Sequence, residues 1–168
     1  MRDFIKIPEK RKLLLKKKEI KEKIEKNTNT KLGINEGIEI NGESFNVFQT
    51  KRILKAFGRG FSVDDSLLLL NDEYSLEIIN LQDFVKSRRR MIVIKGRIIG
   101  TSGKTKKFIE EYTKVKLSIF GKTVSIIGKW DKINIAKQAI MKIIQGCAHQ
   151  TVYRWLEQYS VREKWKKQ

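Results

Sequence analysis

The chain repeats itself, which limits it to folds built from one unit used twice. Moved by 85 residues, "IKEKIEKNTNTKL" (20–32) falls on "TKKFIEEYTKVKL" (105–117). Lys21/Lys106, Ile24/Ile109, Glu25/Glu110, Thr28/Thr113, Lys31/Lys116 and Leu32/Leu117 then coincide. One inserted residue moves the shift to 86, where Ile40/Ile126, Gly42/Gly128, Lys51/Lys137 and Gly60/Gly146 coincide as well. In so biased a composition chance supplies Lys and Ile matches easily, but two glycines matched at element ends point to duplication.

Both copies predict the same elements. A helix of mixed charge, with apolar residues three and four apart, runs to Thr28 or Thr113. Short strands follow at 31–35 and 37–41, and at 115–120 and 123–128, with Gly121 at the second turn. A further helix covers 44–58 or 131–145. Asp131 is expected to cap the latter, and Gly146 suits its left-handed end. A strand should precede each first helix, around 4–7 and 74–81. A short helix at 62–70 carries Asp64 and Asp65 in its first turn. "RRRMIVIKGRIIG" has strand-like β-branched residues, yet Met91, Ile94 and Ile98 share a helical stripe. The repeat requires a helix there, expected over 84–98. The result is β-α-α-β-β-α twice, an α+β fold.

Charge separates the copies. Of 37 basic and 19 acidic residues, 16 and 14 lie in 1–83, whereas 21 and 5 lie in 84–168. An excess confined to one half suits a polyanion, nucleic acid before an anionic membrane surface. The lone Cys147 and the lone His149 exclude a disulfide framework and a multi-cysteine zinc site. No apolar stretch approaches spanning length and the start lacks a secretory core, so a soluble intracellular protein without membrane association is expected.

"GRIIGTSGKTKKFIEE" (96–111) ends its glycine run in Gly-Lys-Thr, as a nucleotide-cradling P-loop does. Such a loop needs a glycine five residues before Gly103, and Ile98 stands there. Gly96 is two residues too early and Gly100 two too late, so P-loop chemistry is excluded. What remains is Gly100-Thr101-Ser102-Gly103, glycines flanking a two-residue insert and followed by a helix. Glycine lets a partner's backbone approach, and the helix start favours an anion.

"IIGTSGKTKKFI" resembles the KH-domain signature, whose GxxG loop clamps about four single-stranded nucleotides. Together with "VKLSIFGKTVSIIG", "IQGCAHQTVYRWLE" and "KAFGRGFSVDDSLLLLNDEYSLEIINLQDF" (55–84), it resembles the archaeal branch of a two-KH ribosome-assembly family. The eukaryotic members of that family are partner proteins of the endonuclease that trims small-subunit rRNA. The resemblance implies two tandem eukaryotic-type (type I) KH domains, each β-α-α-β-β-α with a three-stranded sheet. It divides the chain into a degenerate first domain (1–61), an inter-domain helix (62–73), a second domain with the GxxG loop (74–148) and a helical tail (149–168). At the shift of 85 the first copy reads "LKKK" from Leu15 to Lys18, where leucine and lysine obstruct backbone approach.

The implied function is binding of single-stranded RNA, the 3′ region of small-subunit rRNA or its precursor, by the second domain. Gly100, Thr101, Ser102, Gly103, Lys104 and Thr105 would hold the phosphodiester backbone, with Arg97, Lys106 and Lys107 as supplementary cations. Ile98, Ile99, Lys116, Ser118 and Ile119 would form the groove for unstacked bases. Arg88–Arg90 either touch phosphates or make an exposed basic face. Val152, Trp155, Leu156 and Tyr159 form a tail stripe that either packs back or docks a protein. The resemblance implies the endonuclease and a translation initiation-factor subunit as partners, and neither cofactor, metal nor small-molecule substrate. The archaeal reading places the protein in the cytoplasm, and a eukaryotic source would place it in the nucleus or nucleolus.

Two other classes compete. A nuclease needs converging carboxylates, but the basic half offers only Glu110, Glu111, Asp131, Glu157 and Glu163, and the adjacent first pair diverges on a helix. The expectation is therefore a binder, not an enzyme. A KH regulator or protein adaptor with no tie to the ribosome is the other alternative.

Overall fold

The structure, a computed structural model, describes residues 1–167. It divides into two compact units, Met1–Leu76 and Glu77 onward, the boundary falling inside a strand at Tyr74–Asn80 whose sheet belongs to the second.

The first unit runs β1 (Arg2–Ile5), α1 (Glu9–Leu15), α2 (Lys18–Thr28), β2 (Lys31–Ile34), β3 (Ile38–Asn41), α3 (Ser44–Gly58) and α4 (Val63–Leu67). Its sheet is antiparallel in the order β1-β3-β2. The helices cover one face, where Leu15, Ile24, Leu32, Ile38, Ile40, Val47, Leu54 and Phe57 form the core. α4 begins at Ser62, whose hydroxyl accepts the Asp65 N–H, with Asp64 and Asp65 in the first turn as expected.

The second unit runs β4 (Tyr74–Asn80), α5 (Arg88–Ile99), α6 (Lys104–Thr113), β5 (Lys116–Phe120), β6 (Thr123–Lys129), α7 (Trp130–Ile144) and α8 (His149–Lys166). Its sheet order, β4-β6-β5, matches the first. The core gathers Ile94, Ile98 and Ile109 from the first two helices with Leu117, Val124, Ile126, Ile140 and Ile143. Val152 and Leu156 of α8 belong to it too, so the tail stripe packs back onto its own unit.

Two expectations shift. α5 starts at Arg88 rather than 84, because the Ser87 hydroxyl accepts the Arg90 N–H there while Leu81 and Val85 are drawn into the core. It remains helical despite its β-branched residues because Met91, Ile94 and Ile98 bury one stripe, and burial outweighs propensity. α7 starts at Trp130 with no side-chain cap, leaving Asp131 inside the first turn, where it can face only the helix dipole.

The duplication extends to single bonds. Thr28 and Thr113 donate to the carbonyls of Ile24 and Ile109, and Asn29 and Lys114 then adopt left-handed φ of 53° and 58°. Glu25 and Glu110 accept the backbone N–H of Leu32 and Leu117. α3 and α7 end in the same way: Gly60 and Gly146 have φ of 99° and 97°, and their N–H groups bond Phe57 and Ile143. Lys51 pairs with Asp3 and Lys137 with Glu77, tying α3 to β1 and α7 to β4.

Candidate nucleic-acid interface

The glycine loop joins α5 to α6. Its backbone turns through φ of 77° at Gly100, 55° at Ser102 and 77° at Gly103, closed by a Gly103 N–H bond to the Gly100 carbonyl of 3.1 Å. The two glycines are needed for different reasons. A Cβ on Gly100 would lie 2.3 Å from Thr105 Oγ1 and 2.7 Å from Thr105 N, so that glycine lets α6 start against the loop. A Cβ on Gly103 would meet nothing within 4 Å, so its side faces open space and only its left-handed backbone demands glycine. No side chain caps α6, whose positive end is presented at the loop.

Exposed cations lie beside this opening on α6 and further off at the far end of α5 and the start of β5. Lys104 and Lys107 are exposed, as is Lys116 at the start of β5. Lys106 is half-buried and 3.8 Å from Glu110, which leaves it less available. Arg88, Arg89 and Arg90 are exposed on the first turn of α5, and Ile92 and Val93 follow on its exposed side. Thr101 and Ser102 are exposed, while Gly100, Gly103, Ile99 and Ile119 are intermediate.

Four residues of the expected set are placed elsewhere. Arg97 turns from the loop: its guanidinium donates to the Ile143 carbonyl at 3.0 Å and to the Cys147 carbonyl, securing the end of α7. Ile98 is fully buried in the core and lines no groove. Thr105 is 1% exposed, its hydroxyl 2.7 Å from that of Tyr153. Ser118 is buried opposite Ser125, whereas its neighbour Leu117 pairs with Ile126 of the core. By strand alternation Ser118 therefore lies on the sheet face turned from the helices. Lys116 shares that alternation but stays exposed at the strand end.

The core, the loop and the element order together describe a KH domain, and the comparison with protein families agrees. Residues 75–161 match the eukaryotic-type KH domain (KH-domain type I), in the class of the second KH domain of PNO1. A KH domain-containing protein of Methanocaldococcus jannaschii is 35% identical over 92% of this chain and 72% of its own length. The chain belongs to the PNO1/Dim2 family of KH proteins.

A solved member of the PNO1/Dim2 family, in the a/eIF2alpha-aDim2p-rRNA complex from Pyrococcus horikoshii, superimposes with a TM-score of 0.87 at 38% identity. The match covers 96% of this chain and 95% of that one. The pre-rRNA-processing protein pno1 of Aspergillus fumigatus is 36% identical over 66% of this chain, which spans only 45% of that relative's length. Within this PNO1/Dim2 domain, two residues beside the loop escaped the sequence reading. Tyr153 reaches Thr105, and His149 Nε2 lies 2.8 Å from the Arg97 carbonyl. Both lie in "IQGCAHQTVYRWLE", which carries the family resemblance without marking either residue, and Tyr153 adjoins the tail's apolar stripe.

Proposed function

We propose that the chain binds single-stranded RNA in small-subunit ribosome assembly, holding the 3′ region of small-subunit rRNA or its precursor on the second unit. The observation that carries this is the loop at 100–103. An unobstructed glycine, an uncapped helix start and two exposed lysines leave the loop open to a phosphate, with no carboxylate side chain in the loop itself. Ribosomal RNA is favoured because a PNO1/Dim2 relative is named a pre-rRNA-processing protein and another was solved with rRNA.

In this reading both units are tandem KH domains. The first has the same sheet order but "LKKK" in place of GxxG, and a near-balanced charge, so it serves as scaffold or docking surface. Lys104 and Lys107 pair with phosphates, Gly103 allows the sugar-phosphate chain to approach, and bases lie towards Ile99 and Ile119. The protein acts as a binder without catalytic chemistry, in the cytoplasm. An initiation-factor subunit is a partner by analogy with the solved complex, and the rRNA-trimming endonuclease by the family resemblance.

Crosslinking the protein to RNA in cell extract and sequencing the attached fragments tests the reading. Fragments should come from the 3′ region of small-subunit rRNA. Fragments dominated by messenger RNA would instead favour a general KH regulator.

A further inference from the structure

Tyr153 lies in the second turn of α8, which follows α7 as α4 follows α3, and is 8% exposed. Its hydroxyl is 2.7 Å from Thr105 Oγ1. Thr105 is also the residue packed against Gly100, supplying the three atoms nearest a Cβ built there. The Tyr153 ring stacks on Phe108 of α6 with centroids 4.1 Å apart, and lies 6.0 Å from Lys104 Nζ. One turn earlier, His149 bonds the Arg97 carbonyl in the last turn of α5. α8 therefore holds both helices that flank the glycine loop.

Packing alone does not ask for this polar pair, since valine and phenylalanine would fill the same space with no buried hydroxyls to satisfy. The first unit shows the alternative. At the repeat shifts Leu15 stands for Gly100, Ile20 for Thr105 and Leu67 for Tyr153, all apolar. The glycine and the two hydroxyls are present together in one copy and absent together in the other.

We infer that Tyr153 is a positioning residue of the RNA clamp. Its hydrogen bond fixes the Thr105 side chain, Thr105 fixes the start of α6 against Gly100, and that start sets the backbone of residues 100–104 and the Lys104 ammonium. The loop is thereby ordered before RNA arrives, which removes part of the ordering cost of binding. The inference rests on the RNA-binding reading above.

The test uses the full chain with Tyr153→Phe, Thr105→Val and the double variant. A short labelled single-stranded RNA that the wild type binds serves as probe. Each single change should weaken binding about three- to tenfold, the worth of one hydrogen bond. The double variant should be no worse than the weaker single, with the salt dependence unchanged. Ile140→Val, in the core on α7, lowers stability while keeping this bond and should leave affinity alone. In the free protein, amide exchange at Ser102, Gly103 and Lys104 should quicken in Tyr153→Phe. Wild-type affinity in folded Tyr153→Phe, or equal weakening by Ile140→Val, would overturn the inference. If the wild type binds no RNA, the RNA reading falls, and unchanged amide exchange would then overturn the positioning role separately.

Discussion

Arg11 and Arg97 stand 86 residues apart and play the same part, each sending its guanidinium to two carbonyls at and just past the end of α3 or α7. Arg11 reaches Phe57 and Phe61 at 2.8 and 2.6 Å, and Arg97 reaches Ile143 and Cys147, the residues 86 further on. Those carbonyls have few partners within the helix, so an always-charged fork is a strong way to satisfy them. Burial pushes the Arg11 pKa down, but an arginine has ample margin to remain charged.

Replacing Arg97 by alanine is therefore a stability change. It should cost about 2–3 kcal/mol in urea unfolding, from the two lost charged hydrogen bonds and the Cys147 carbonyl deprived of this donor. The slope of log affinity for RNA against log salt should not change, since Arg97 neutralises no phosphate. Lys104→Ala should do the opposite, leaving unfolding within about 0.5 kcal/mol. It should also reduce the slope by about 0.7.

Gly100 and Gly103 should separate under substitution. Gly100→Ala combines a left-handed backbone with a collision against Thr105, and is expected to lower stability by about 2–4 kcal/mol. Gly103→Ala meets only the backbone penalty, about 1–2 kcal/mol. Thermal unfolding of the two variants side by side checks the order.

Acid should act through Asp3. Its carboxyl is held below the ordinary range first by the Lys51 hydrogen bond, then by the Phe4 backbone N–H and the Lys51 charge. A lowered carboxylate contributes stability that is present above its unfolded pKa, about 3.9, and lost as pH falls through the folded value. The stability difference between wild type and Asp3→Asn should thus be full at neutral pH and shrink below about pH 4. Urea unfolding at several pH values measures it.

Much of the fold was legible because its signals are local. The stripe of Met91, Ile94 and Ile98, the glycines at 60 and 146, and the acidic first turn of Asp64 and Asp65 each declare themselves within a few residues. The helix start at Arg88 was missed although Ser87 is an ordinary cap, because the strand-to-helix return at 81–87 is set by where Leu81 and Val85 find the core. At the candidate site, the glycines and exposed lysines could be read from the motif alone. Arg97, Ile98, Thr105 and Ser118 could not, because the motif names residues without showing which way they point. Comparing the copies would have helped with one: Arg11 and Arg97 coincide at the shift of 86, and an arginine kept in a unit without GxxG serves the fold.

The central claim is that the loop at 100–103 of the second unit receives the RNA backbone. Titrating labelled single-stranded RNA with wild type and folded Gly103→Asp tests it most directly, because the aspartate enters the open space beside the loop with the wrong charge. The account predicts at least about a tenfold loss of affinity, some 1.4 kcal/mol. Equal affinity in the two proteins would contradict it.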